Sequence, residues 1–156
     1  MTNQPIILAS TSPRRIELLR ALGLSFKVFP SKVDEPEHVE GPPGDFVERI
    51  ALAKALDVAP LFSEGILIGA DTIVWLEGRV FGKPKDPQDA ARMLALLAGK
   101  THQVYTGIAV LHLEEMFQKT AHEVTDVTFR PLTQDQISRY LKMIEPLDKA
   151  GAYAIQ

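Results

Sequence analysis

Ile6-Ile7-Leu8-Ala9-Ser10-Thr11-Ser12-Pro13-Arg14-Arg15 runs from an apolar segment through a hydroxyl-rich loop into two arginines. Ile6-Ile7-Leu8 suits a short buried strand. Ser12 can cap a helix, and Pro13 fits the first helical position because its missing N–H would be unpaired there. The stretch therefore predicts strand, loop and helix. The first N–H groups of a helix favour an anion. Arg14 and Arg15 beside them concentrate positive charge, which suits phosphate; the competing reading is that both pair with surface carboxylates.

The same alternation of strand and helix continues outward. The first helix is expected from about Pro13 to Leu22, stopping at Gly23, with Ile16, Leu19 and Leu22 toward the core. Phe26 to Phe29 alternates like a strand. Glu40 to Asp45 is loop, followed by a helix to about Leu56 with Phe46, Val47, Ile50 and Lys54 at helical spacing. Gly65 to Trp75 is strand-rich, and Leu76-Glu77-Gly78-Arg79 reads as a hairpin turn into Val80-Phe81. Asp86-Pro87 opens a helix that Gly99 closes. Val104 to Leu113 and Lys119 to Phe129 read as strands, and Thr133 with Gln136 has capping-box spacing for a helix through about Lys142. The sum is an α/β protein with a mixed sheet.

Composition narrows the class. A chain of 156 residues with 46% hydrophobic and 24% charged residues fits one folded domain, not a disordered chain. A net charge of −3 argues against broad binding to nucleic acid. The chain has no cysteine, which removes disulfides and thiol nucleophiles and is compatible with a reducing cytoplasm. No signal peptide is apparent, and no apolar run approaches a membrane span.

Three further clusters carry chemistry. Gly69-Ala70-Asp71-Thr72 follows the apolar run Ile66-Leu67-Ile68. Gly82-Lys83-Pro84 places a cation on a proline-stiffened loop. Glu145-Pro146-Leu147-Asp148-Lys149-Ala150-Gly151 leads into Ala152-Tyr153-Ala154-Ile155-Gln156. Asp71, at the carboxyl end of a strand, is where open α/β sheets place ligands, although a lone aspartate there is more often a turn former. Periodicity alone reads Lys54 as a solvated helix side chain. There is no G-x-x-x-x-G-K-[ST] and no G-x-G-x-x-G, so phosphate would be gripped by side chains and a helix start. His102 reads as structural, and His38, His112 and His122 are scattered without metal-ligand spacing.

With the first stretch, these clusters in this order resemble the Maf family of nucleotide pyrophosphatases, from Ile7 to Gln156. The resemblance implies an elongated two-lobed fold, similar to that of inosine triphosphate pyrophosphatases, with the site in a central cleft. It implies hydrolysis of a nucleoside triphosphate to the monophosphate and pyrophosphate. Asp71 would be the catalytic proton acceptor, and Ser10, Arg14, Arg15, Lys54 and Lys83 would bind substrate. Glu35 would join Asp71 in holding a divalent cation, Mg²⁺ or Mn²⁺. Arg14, Thr72 and Gln156 match the subgroup acting on dTTP and UTP, with a possible house-cleaning role against modified nucleotides. The alternatives are 7-methyl-GTP as substrate, or a non-enzymatic role in septum formation. The resemblance also implies a cytoplasmic homodimer. Residues 1–156 are expected to be a single domain lacking the segment that usually follows the glutamine in this family. Ile144 stands where the family often has glycine, and the EPxDKAG pattern leaves a substrate-side role open for Lys149.

Overall fold

The computed structural model describes residues 4–34 and 38–154. Among these, the strands β1 (Ile6–Leu8), β2 (Phe26–Val28), β3 (Ile66–Leu76), β4 (Arg79–Phe81), β5 (Thr101–His112) and β6 (Phe117–Thr128) form one sheet. Its order is β2-β1-β3-β5-β6, with β4 pairing to β3. The β1 strand is parallel to both neighbours, with Leu8 opposite Val28 and Ile68. The β3–β4 pair is an antiparallel hairpin with Leu76 opposite Arg79. The helices are α1 (Pro13–Ala21), α2 (Pro43–Val58), α3 (Pro87–Leu97) and α4 (Gln134–Met143). A mixed α/β fold is what the sequence predicts.

The described residues fall into two compact units. One holds residues 4–34, 44–71 and 106–123; the other holds 38–43, 72–105 and 124–154. Each is assembled from separated segments, so neither is a contiguous stretch of chain. In the first, Ile7, Ala9, Ala55, Val58, Leu67 and Leu111 form the core. In the second, Val74, Phe81, Met93, Leu94, Leu97 and Ile137 are central to another.

Local signals explain most boundaries. Glu77 (φ 51°) and Gly78 (φ 80°) both take positive φ, as a tight two-residue hairpin turn requires. Asp86 accepts from Asp89 N at 2.7 Å and caps α3, with Pro87 at its first position. Thr133 and Gln136 form a reciprocal capping box on α4, at 2.9 and 3.3 Å.

Two expectations for the first helix need correction. Ser12 is the N-cap of α1 by backbone, yet its side chain makes no cap bond. Its N–H donates to Ser10 Oγ at 3.2 Å, closing a local turn just before the helix. No residue of α1 is buried, and Leu22 is 74% exposed. The helix ends at Ala21, so Leu22 falls past its last turn and off the inward stripe. Ile16 and Leu19 are half-buried.

Candidate active site

The loop after β1 is fastened to the first half of β3. Ala9 N–H donates to Ile68 O at 2.8 Å, continuing the parallel ladder past Leu8. Arg15 Nη1 then reaches Ala70 O at 2.9 Å and Ser10 Oγ at 3.3 Å. Ser10 is buried. One guanidinium thus ties the start of α1, the loop and the residue before Asp71 into one assembly. The first turn of α1 carries no acid, and Arg14 is half-buried there. Arg15, expected from sequence to grip phosphate, serves here as a brace between the loop and β3.

The α2 helix brings Lys54 to Asp71, and two glycines permit it. Residues 69 and 71 share one face of β3, because strand side chains alternate. A Cβ on Gly69 would run into Ala51 O, and one on Gly107 would run into the Val47 backbone. The helix backbone therefore rests directly on the sheet at these points. Val47, Ala51, Lys54, Ala55 and Val58 are all buried and lie along one stripe of α2. One turn beyond Ala51, Lys54 Nζ sits 2.7 Å from Asp71 Oδ1, with the two side chains 8% and 7% exposed. Lys54 is thus not the solvated side chain that its periodicity suggests.

Burying both charges is expensive, and apolar residues of similar volume are often as stable or more so. An ion pair kept in such a place breaks the rule by which cores are built, and such breaks concentrate at functional sites. The pair fixes the orientation of the Asp71 carboxylate in the middle of β3, not at the strand's carboxyl end as expected from sequence, because the strand runs on through Thr72–Leu76 into the β4 hairpin.

The α2 helix also anchors the segment that leads toward Glu35. Asp57 Oδ2 accepts from Lys32 N–H at 2.7 Å and from Ser31 Oγ at 3.1 Å. Glu35 itself lies outside the described residues, as does Gln156.

In the second unit, Thr72 is half-buried on β3. Lys83 is exposed, between buried Phe81 and buried Pro84 with only Gly82 intervening on one side. Gly151 N–H donates to Gly82 O at 3.0 Å, joining the Glu145–Gly151 segment to the Lys83 loop. His102 is structural, as read from sequence. It is 1% exposed, packs edge-on against Phe129 and Tyr153, and shares a 2.7 Å hydrogen bond with Tyr153 OH. Its Nδ1 has no hydrogen-bond partner among the described residues, and burial lowers the imidazole pKa. Burial also pushes the Tyr153 phenol up to about 12.

Among the described residues, no group of three His, Cys, Asp or Glu side chains could hold a metal by itself. Mg²⁺ does not need one. It is commonly bound by one or two carboxylates, with substrate phosphates and water completing the shell. Asp71 supplies a hard oxygen donor of that kind beside the Ser10–Arg15 loop, so the donor set fits a cation that arrives with its phosphates.

Sequence reasoning missed three features. Gly69 and Gly107 are needed for close approach of α2, which a single glycine in a strand only hints at. Glu48 accepts from Thr120 Oγ1 and pairs with His122 Nδ1, tying α2 to β6. Those hydrogen bonds hold the Glu48 carboxyl below its ordinary pKa. Lys149 Nζ is bound to Glu145 O and Asp148 Oδ1, both at 2.5 Å.

Known proteins bear on these residues. The family described as Maf-like protein matches residues 5–156. A dTTP/UTP pyrophosphatase of Moorella thermoacetica is 54% identical over 151 residues, covering 97% of this chain and 78% of that protein. One of Desulforamulus reducens is 49% identical over 153 residues, covering 98% and 80%. One of Bacillus cytotoxicus is 49% identical over 150 residues, covering 96% and 78%.

Proposed function

This chain belongs to the Maf-like protein family, and from that footing we propose that it hydrolyses dTTP and UTP to the nucleoside monophosphate and pyrophosphate. The observation that carries the reading is the buried Lys54–Asp71 pair, mounted beside the Arg15 clamp on Ser10 and Ala70. The shared name of the relatives supports the substrates. That name favours neither 7-methyl-GTP nor a non-enzymatic role in septum formation.

In this reaction a water attacks the α-phosphorus, the bond to the bridging oxygen of the β-phosphate breaks, and pyrophosphate leaves. Asp71 accepts the proton of the attacking water. Lys54, donating to Oδ1, holds the carboxylate in one orientation. Arg14, Arg15 and Lys83 grip the triphosphate and offset the charge that develops on its oxygens. Ser10 lines the phosphate loop. Arg14, Thr72 and Gln156 select the pyrimidine. Asp71, with Glu35, would hold Mg²⁺ or Mn²⁺, which when bound polarises the phosphoryl oxygens.

The reading extends to a cytoplasmic homodimer, for which the lack of cysteine fits a reducing compartment. No helix among the described residues is long and apolar enough to cross a membrane. The test is pyrophosphate release from a panel of nucleoside triphosphates with Mg²⁺. Release confined to dTTP and UTP supports the proposal, and release favouring 7-methyl-GTP overturns its substrate assignment.

A further inference from the structure

The Glu145–Gly151 segment has no part in the chemistry above, yet it is held together more tightly than a surface loop needs. Lys149 turns its ammonium back into the segment. Nζ donates to Glu145 O and to Asp148 Oδ1, and the side chain is only 13% exposed. The Lys149 backbone closes the same turn, with N–H to Pro146 O at 3.2 Å and O accepting from Ala152 N–H at 3.1 Å. Pro146 is buried. A lysine committed this way is a staple, not a substrate ligand.

The stapled turn presents Gly151 in a conformation that other residues resist, with φ at 68°. A Cβ there would lie 3.0 Å from Val74 Cγ2 and 3.3 Å from Tyr153 Cε1. So placed, Gly151 N–H holds Gly82 O, the carbonyl directly before Lys83. On the other side of Lys83, Pro84 is buried and Lys85 N–H donates to Asp89 Oδ2 at 3.1 Å. A lysine is a point charge on a flexible stem, so its use against phosphate depends on where its backbone is fixed. The backbone of Lys83 is fixed on one side through a turn that Lys149 closes.

We propose that Lys149 is a positioning residue for Lys83, acting through the Gly151–Gly82 hydrogen bond. This rests on the reading that Lys83 grips the triphosphate. Lys149→Met keeps the length of the side chain and removes the staple. It lowers kcat/KM for dTTP about tenfold, the scale of a lost charge-assisted hydrogen bond. The change divides between KM and kcat as it does in Lys83→Met. Lys149→Arg, which can still reach both acceptors, restores most of the activity.

The decisive experiment is the double-mutant cycle of Lys149→Met with Lys83→Met, read in dTTP turnover at full folding by circular dichroism. Lys149→Met has no further effect once Lys83 is gone if the proposal holds. Additive losses overturn it. A Lys83→Met protein with unchanged kinetics for dTTP removes the phosphate-grip reading instead, and the proposal with it. Should Lys149→Met fail to fold, Asp148→Asn weakens the same staple and enters the same cycle, with the same two readings.

Discussion

Lys54 Nζ and Asp71 Oδ1 meet at 2.7 Å between the stripe of α2 and the face of β3, almost wholly out of solvent. Removing one partner strands the other as a buried charge. Lys54→Met therefore destabilises the protein by about 3–5 kcal/mol and removes activity. A double variant with Lys54→Met and Asp71→Leu recovers much of the stability but none of the activity, because an apolar pair fills the space without doing the chemistry. Urea denaturation of the three proteins checks this. A Lys54→Met protein as stable as the parent contradicts the ion-pair account.

Gly69 is the seat of α2 on β3, and a methyl group there collides with Ala51 O, part of the helix backbone. Gly69→Ala is expected to cost about 1–3 kcal/mol or more, as overpacking does. It also displaces Lys54 from Asp71, so turnover falls by more than the folded fraction does. Equilibrium unfolding together with turnover per folded molecule separates the two effects. Normal turnover per folded molecule would show that the seat does not set the pair.

Arg15 spans two acceptors, Ser10 Oγ and Ala70 O, from one end of its guanidinium. Lysine keeps the charge but has no planar fork. Arg15→Lys should lose about 1–3 kcal/mol of stability, and lower kcat/KM by more than the charge alone explains. Thermal melting and kinetics on the same sample decide this. Wild-type stability in Arg15→Lys means that the brace contributes nothing.

His102 makes the fold sensitive to acid. Burial depresses its pKa below the ordinary 6.5, so the unfolded chain binds the proton first. Between the depressed value and about 6.5, the unfolded state holds more protons, and stability rises with pH. The contribution is complete above pH 6.5 and is lost as pH falls below it. His102→Phe keeps the ring packing against Phe129 and Tyr153, gives up the Tyr153 hydrogen bond, and flattens this slope. Urea midpoints at pH 8 and pH 5.5 provide the comparison. Equal slopes in parent and variant rule out His102 as the source.

Much of this was legible because the signals were local. Asp86-Pro87, Thr133 with Gln136, and Glu77-Gly78 determine their own caps and turns from residues a few positions apart. The apolar runs at Ile6 and Ile66 became parallel neighbours, and the motif Gly69-Ala70-Asp71-Thr72 pointed to the right strand but to its end, whereas β3 continues five residues past Asp71. What stayed hidden depends on distant partners. Nothing near Lys54 in sequence shows that a strand glycine lets its helix approach far enough to bury it. Nothing near His122 announces Glu48, 74 residues away. Lys149 was readable as a substrate ligand because a motif shows which residues recur together, not which way an ammonium turns. The exposure of Leu22 followed from a helix one residue shorter than its periodicity.

The most direct test of the central claim compares the parent with Asp71→Asn, measuring pyrophosphate released from dTTP and UTP with Mg²⁺, and nucleotide binding by calorimetry. The parent releases pyrophosphate from both nucleotides, and the variant loses turnover with binding largely kept. Near-normal turnover by Asp71→Asn would contradict the assignment of Asp71 as the group that takes the proton from water.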